Sequence, residues 1–105
     1  MKTRGAKKSR PASSPGRGAT VVLRCHALDA KSVYVAGTFN DWRPDATPLQ
    51  PRTSGLWTVE VDLPPGDYEY RFVVDGCWCS DPEAKETAPN PFGDHNAVLR
   101  VPRVA

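Results

Sequence analysis

The sequence predicts an all-β domain, an antiparallel sandwich carried behind a basic N-terminal tail. Three observations lead there. From Thr20 onward, short β-branched and aromatic runs recur, each closed by Gly, Pro, Asn or Asp, which is the pattern of antiparallel strands joined by turns. No window sustains the i, i+3, i+4, i+7 apolar repeat of an amphipathic helix. The 11 prolines of this 105-residue chain are spread along it, so a long helix would be interrupted wherever it began.

Residues 1–19, MKTRGAKKSRPASSPGRGA, contain no aromatic and no branched aliphatic side chain. They have nothing to bury against the entropy of being ordered, so a disordered tail is expected over 1–19 and a folded domain over 20–105. The tail holds Lys2, Arg4, Lys7, Lys8, Arg10 and Arg17 and no acid. Without these six, the 14 Lys and Arg fall to eight against 12 acids, so the overall +2 becomes −4 for the domain. An acidic domain is a poor phosphate-binding surface, and nucleic acid binding is confined to the tail, where a solvated leader is favoured because no aromatics are interleaved.

The expected strands are TVVLRCHA (20–27), SVYVAG (32–37), LWTVEVDL (56–63), DYEYRFVVD (67–75), CWC (77–79) and NAVLRV (96–101). Alternation assigns their faces. Trp57, Val59, Val61 and Leu63 share the core side of their run, with Thr58, Glu60 and Asp62 toward solvent. In the next run Tyr68, Tyr70, Phe72 and Val74 point in, leaving Glu69, Arg71, Val73 and Asp75 outward. LPPG (63–66) turns one strand into the next, and Asp75-Gly76 supplies a second turn where a left-handed backbone is easiest. A long loop is expected over 83–95. Five or six short strands in this length suit a small sandwich better than a closed barrel.

Catalytic constellations are missing. Neither His26 nor His95 stands at a spacing that sets a base beside a nucleophile, and neighbours Cys25 and His26 point to opposite faces of a strand. Gly37, Gly66 and Gly76 close strands and turns and form no phosphate cradle. Cys77 and Cys79 bring two sulfurs to one strand face, but only Cys25 and the two histidines remain to complete a zinc set, so no metal and no cofactor is expected. Three cysteines cannot all pair, which suits a reduced, cytoplasmic protein. Nothing approaches the roughly 18 apolar residues of a membrane span, and no apolar stretch follows the basic N-terminus as in a signal peptide.

Face parity instead exposes a tryptophan. Free cysteines are usually buried, so if Cys77 and Cys79 face the core, Trp78 faces out. Trp42 lies in the loop GTFNDWRPDATP (37–48), where Phe39 and Trp42 either fold back on the core or Trp42 stands out as a platform. Two exposed indoles, Arg71 on an outward face, and the Asn, Asp and His of PNPFGDHN (89–96) make a flat apolar surface rimmed by planar hydrogen-bonding groups. A pyranose ring fits such a surface, stacking its C–H face while its hydroxyls find donors and acceptors. Protein partners and nucleobases also stack on aromatics, so the composition does not select sugar by itself.

VYVAGTFNDW (33–42), GLW (55–57), LPPGDYEYRFVVDGCWCSDP (63–82) and NPFGDHNAVLRV (90–101) together resemble carbohydrate-binding module family 48, whose members include the glycogen-binding domains of AMP-activated protein kinase β subunits. The resemblance runs in order over about residues 20–102. It implies an immunoglobulin-like, early-set sandwich that binds α-1,4-linked glucan such as glycogen or malto-oligosaccharide without catalysis. Trp42 and Trp78 fall at the stacking platforms, Arg71 where the kinase-type domain has a lysine that bonds glucose hydroxyls, and Asn96 at a hydroxyl-bonding asparagine. Phe92 stands in place of a leucine that inserts into the glucan, and Asp94 in place of a threonine. The expected role is a free-standing targeting or adaptor module, with a protein-interaction module of the same fold as the alternative.

Overall fold

The computed structural model of the protein describes residues 18–103. The basic stretch 1–17 lies outside the described residues, so the expected tail is not addressed beyond its last two positions. Among the described residues there are eight strands and one 3-10 turn: β1 Ala19–His26, β2 Val33–Gly37, the turn Thr38–Asn40, β3 Gln50–Pro51, β4 Leu56–Leu63, β5 Gly66–Val74, β6 Cys77–Cys79, β7 Thr87–Pro89 and β8 His95–Val101. They pair into two antiparallel sheets, β1-β4-β3 and β2-β5-β8-β7, with β6 also hydrogen-bonded to β5. The all-β sandwich is as predicted. No helix among the described residues is long and apolar enough to cross a membrane.

The alternating faces explain how the sheets meet. Leu23 and Trp57 from the first sheet pack against Val33, Val35, Tyr70, Phe72 and Ala97 from the second, and Leu49 closes the cluster from the segment before β3. Burial of such side chains stabilises by about 1.5–3 kcal/mol each before entropy is counted. Trp57 also satisfies its indole N–H on the Ala27 carbonyl at 3.2 Å. Phe39 folds back against this cluster and meets the ring of Tyr68 edge-on, while Trp42 does not join it. The loop thus divides its two aromatics between the roles the sequence left open.

Strand β5 organises the second sheet because it changes partners along one edge. Over Gly66–Tyr70 it pairs with β8, and over Phe72–Val74 with β6, so Arg71 stands at the fork between them. Its other edge runs along β2. The β5–β6 turn is the expected one, with Asp75 and Gly76 both left-handed at φ 50° and 86°.

Four details depart from the sequence reading. Val73 does lie on the outer face, yet it is only 4% exposed, because it stands between its larger cross-strand neighbours Tyr34 and Trp78. Cys77 is exposed and Cys79 half-buried, since β6 is a short edge strand that overhangs the core. The loop expected over 83–95 contains β7, in which only Thr87 favours a strand while Ala88 and Pro89 do not, and which is recruited by pairing with β8. The same holds for the two-residue β3, aligned on β4.

Candidate functional site: a groove on the outer face of the second sheet

On the side of β5 away from the core is a groove of about 630 Å³. The fork builds its floor. Glu69 and Arg71 rise from β5, Trp78 from β6 bounds one side, and Asn96 enters from the start of β8. Thr38 and Trp42 come from the turn after β2, and Asn90 and Phe92 from the β7–β8 loop. Trp42, Arg71, Trp78, Phe92 and Asn96, five of the six residues singled out in the sequence, therefore line one surface. The sixth, Asp94, lies outside the lining but touches it through Arg71.

Trp42 is held by backbone that few sequences adopt. Asn40 accepts the Gly37 N–H on its side-chain oxygen at 3.0 Å and donates its amide to the Val35 carbonyl and the Thr47 hydroxyl, each at 3.0 Å. Asp41 and Trp42 then both turn left-handed, at φ 59°, and the Trp42 N–H returns to the Gly37 carbonyl at 2.9 Å. A bulky residue in that region is strained and persists only where its surroundings fix it. Gly37 is needed for the close approach, because a Cβ there would fall 2.4 Å from the Glu69 carbonyl oxygen. Trp78 needs no such device, since parity on β6 turns it outward, where it remains 44% exposed.

Arg71 is only 13% exposed along its side chain, and its Nη2 donates to Asp94 Oδ2 at 2.8 Å. Its Nε is buried with no acceptor among the described residues. The His95 backbone N–H, donating to Asp94 Oδ1 at 2.8 Å, and then the Arg71 guanidinium hold the Asp94 carboxyl below the usual carboxylate range.

Asn90 ties the remaining parts together. Its side-chain oxygen accepts the N–H groups of Phe92 at 2.9 Å and Asp94 at 3.1 Å, while its backbone N–H donates to the Asp94 carbonyl at 2.8 Å. Its amide nitrogen donates to Asn96 Oδ1 at 3.1 Å, and Asn96 Nδ2 donates to Glu69 Oε1 at 2.9 Å. Asn96 is accordingly 7% exposed, and Phe92, at the tip of the clamped loop, 89%. Asn90 and Glu69 were not among the residues the sequence reading selected. Glu69 was within reach, two positions before Arg71 on the same strand face, and an Asn three residues before Gly93 is an Asx-turn signal.

A second hollow, of about 540 Å³, is lined by the end of β1 and the segment after β6, including Cys25, Cys79, Asp81 and Glu83. Burial, and then Asp81, Cys79 and Glu83, push the Cys25 thiol up to about 11, so it is not a nucleophile at neutral pH. Tyr70 donates its hydroxyl to Asp81 at 2.6 Å and is raised by burial and by that bond. His26 and Glu83 stand 3.4 Å apart at the surface. Among the described residues no three His, Cys, Asp or Glu side chains gather as a metal-binding group.

The family model described as the glycogen recognition site of AMP-activated protein kinase matches residues 20–104. The chain belongs to this family. It is 35% identical over 71 residues to AMP-activated protein kinase subunit beta-1 of Sus scrofa, covering 68% of this chain and 55% of that one. The identity is also 35% over 71 residues to the Homo sapiens subunit beta-1, of which 25% is covered. To the SNF1-related protein kinase regulatory subunit beta-2 of Arabidopsis thaliana it is 38% over 76 residues, 70% of this chain and 25% of that subunit. The chain thus spans between a quarter and about half of these relatives. In this member of the family both tryptophans line one groove, and Asp94 forms an ion pair with Arg71.

Proposed function

We propose that this glycogen-recognition domain binds α-1,4-linked glucan, without catalysis, in the groove beside the β5 fork. The observation that carries the reading is the convergence of Trp42, from the turn after β2, and Trp78, from β6, on one outer surface with Arg71 of β5 and Asn96 of β8. In this reading the two indoles stack on glucose rings, the Arg71 guanidinium and the Asn96 amide bond hydroxyls, and Phe92 reaches over the chain from the loop tip. Half of a roughly 200 Å² indole removed from water contributes about 2.5 kcal/mol. Two such contacts, less the freedom lost on binding, correspond to roughly micromolar to millimolar affinity for a short oligosaccharide. A non-catalytic reading is supported by how the acids are used. Asp94 is held ionised by His95 and Arg71, whereas glycoside hydrolysis requires a protonated carboxyl facing a second one across the bond.

A role in placing a partner on glycogen is in keeping with relatives that are named as kinase subunits. Affinity electrophoresis in gels with and without glycogen tests the binding directly. Retardation by glycogen, relieved by free maltoheptaose, is the expected result. A folded domain that migrates identically in both gels would favour the protein-contact role instead.

A further inference from the structure

We propose that the groove selects uncharged glucan and rejects glucan bearing phosphate monoesters, with Glu69 and Asp94 as the residues that set this preference. The inference rests on the glucan reading above and specifies its substrate class. Among the described groove-lining residues, Arg71 is the one permanent cation and Glu69 the one carboxylate, while Asp94 sits on Arg71 from just outside. The three together carry a net charge of −1. Asp41 and Arg43, on either side of Trp42, are of opposite sign.

The arrangement also denies a phosphate its usual partner. Arg71 already donates Nη2 to Asp94 at 2.8 Å, so the donors it has left for a ligand belong to a neutralised ion pair and not to a free cation. Glu69 is held toward the groove, because its carboxylate accepts from Asn96, which is itself bonded to Asn90. A sugar hydroxyl gains from such a carboxylate by donating to it. A phosphate oxygen has no proton to offer and meets like charge at close range, which is the repulsive half of a specific site.

The test compares maltoheptaose with singly phosphorylated maltoheptaose by titration calorimetry at pH about 8, where a phosphate monoester is a dianion. In low salt the phosphorylated form should bind roughly five- to tenfold more weakly, the size expected for a dianion about 6–8 Å from one net charge in water-like surroundings. The difference should shrink at about 0.5 M salt. The substitutions Glu69→Gln and Asp94→Asn keep an acceptor oxygen at each position and turn −1 into +1, so the double variant should bring the ratio of the two affinities to one or invert it. The single variants are read in the same way and stand in if the double variant does not fold. Equal affinities in the wild type, or a ratio that the substitutions leave unchanged, would overturn the proposal while leaving glucan binding in place. A wild-type domain that binds neither sugar would overturn the glucan reading and this inference with it.

Discussion

Replacing Trp78 and Trp57 in turn separates the aromatic proposed to face ligand from the one that holds the core. Trp78 is 44% exposed. On a side chain of roughly 250 Å², that leaves about 110 Å² for a sugar ring, worth about 1.5–3 kcal/mol if half to all of it is covered. Trp78→Ala should therefore weaken glucan binding by roughly ten- to a hundredfold. Its stability cost is not zero, because the covered half of the ring lies beside Val73, which is buried beneath it and Tyr34. About 1–2 kcal/mol is expected, or roughly 4–15 °C in Tm for a domain of this size. Trp57→Ala removes a core side chain and strands the Ala27 carbonyl that accepts its indole N–H, for about 3–5 kcal/mol. Calorimetric titration with maltoheptaose and urea denaturation of the same preparations give both numbers. If Trp78→Ala unfolds the domain as severely as Trp57→Ala, the division of roles is wrong. If it stays folded and binds maltoheptaose like the wild type, the groove is not the glucan site.

Asn90→Ala should weaken maltoheptaose binding roughly three- to tenfold with a small change in Tm, because it frees the loop carrying Phe92 and Asp94 and leaves Asn96 half-anchored; unchanged affinity would show that loop order is irrelevant. The Asp94 carboxyl, lowered first by the His95 N–H and then by Arg71, should titrate below about 3.9 in a carbon-detected NMR experiment. Because its folded value is depressed, the ion pair is complete above the ordinary aspartate range and is lost as pH falls through the folded value; a midpoint above 3.9 by that scale would contradict the contact. Among the cysteines, exposed Cys77 should be alkylated first at mildly alkaline pH and Cys25 last, its thiol raised to about 11 by burial; mass spectrometry of the partly modified protein gives the order, and early labelling of Cys25 would refute its environment.

The fold was legible wherever local pattern and burial agree. The 56–63 run alternates cleanly and became β4 at those bounds, and the Asp75-Gly76 turn followed from the backbone those residues tolerate. What escaped depends on neighbours distant in sequence. Thr87–Pro89 becomes a strand only because β8 offers it a ladder, and Val73 is buried only because two larger residues on adjacent strands flank it. The site divides in the same way. Parity gave Arg71 its outward direction, whereas that of Trp78 was reached through an expected burial of both cysteines that Cys77 does not show. The clamp by Asn90 and the pairing of Asn96 with Glu69 join residues up to 27 positions apart, and their partners are set by the fork in β5, which no periodicity records.

That fork accounts for how so small a sheet holds a prearranged surface. A β5 strand paired with one neighbour throughout would place a continuous ladder beside Arg71. Splitting its edge between β6 and β8 lets one strand present Trp78 and the other present Asn96 on either side of the same arginine. The Asn40 clamp fixes Trp42 through a strained left-handed pair, and the Asn90 clamp fixes the loop that carries Phe92. Ordering these groups before a ligand arrives removes entropy that binding would otherwise cost. The gain is bounded, because two stacking contacts on a shallow groove cannot hold one short oligosaccharide tightly. On a branched polymer the same modest contact recurs along many chain ends, so retention rises with the number of sites within reach. A single groove of this kind would meet polymer and free oligosaccharide with the same affinity per site, and longer retention on the polymer would come from rebinding to neighbouring chains.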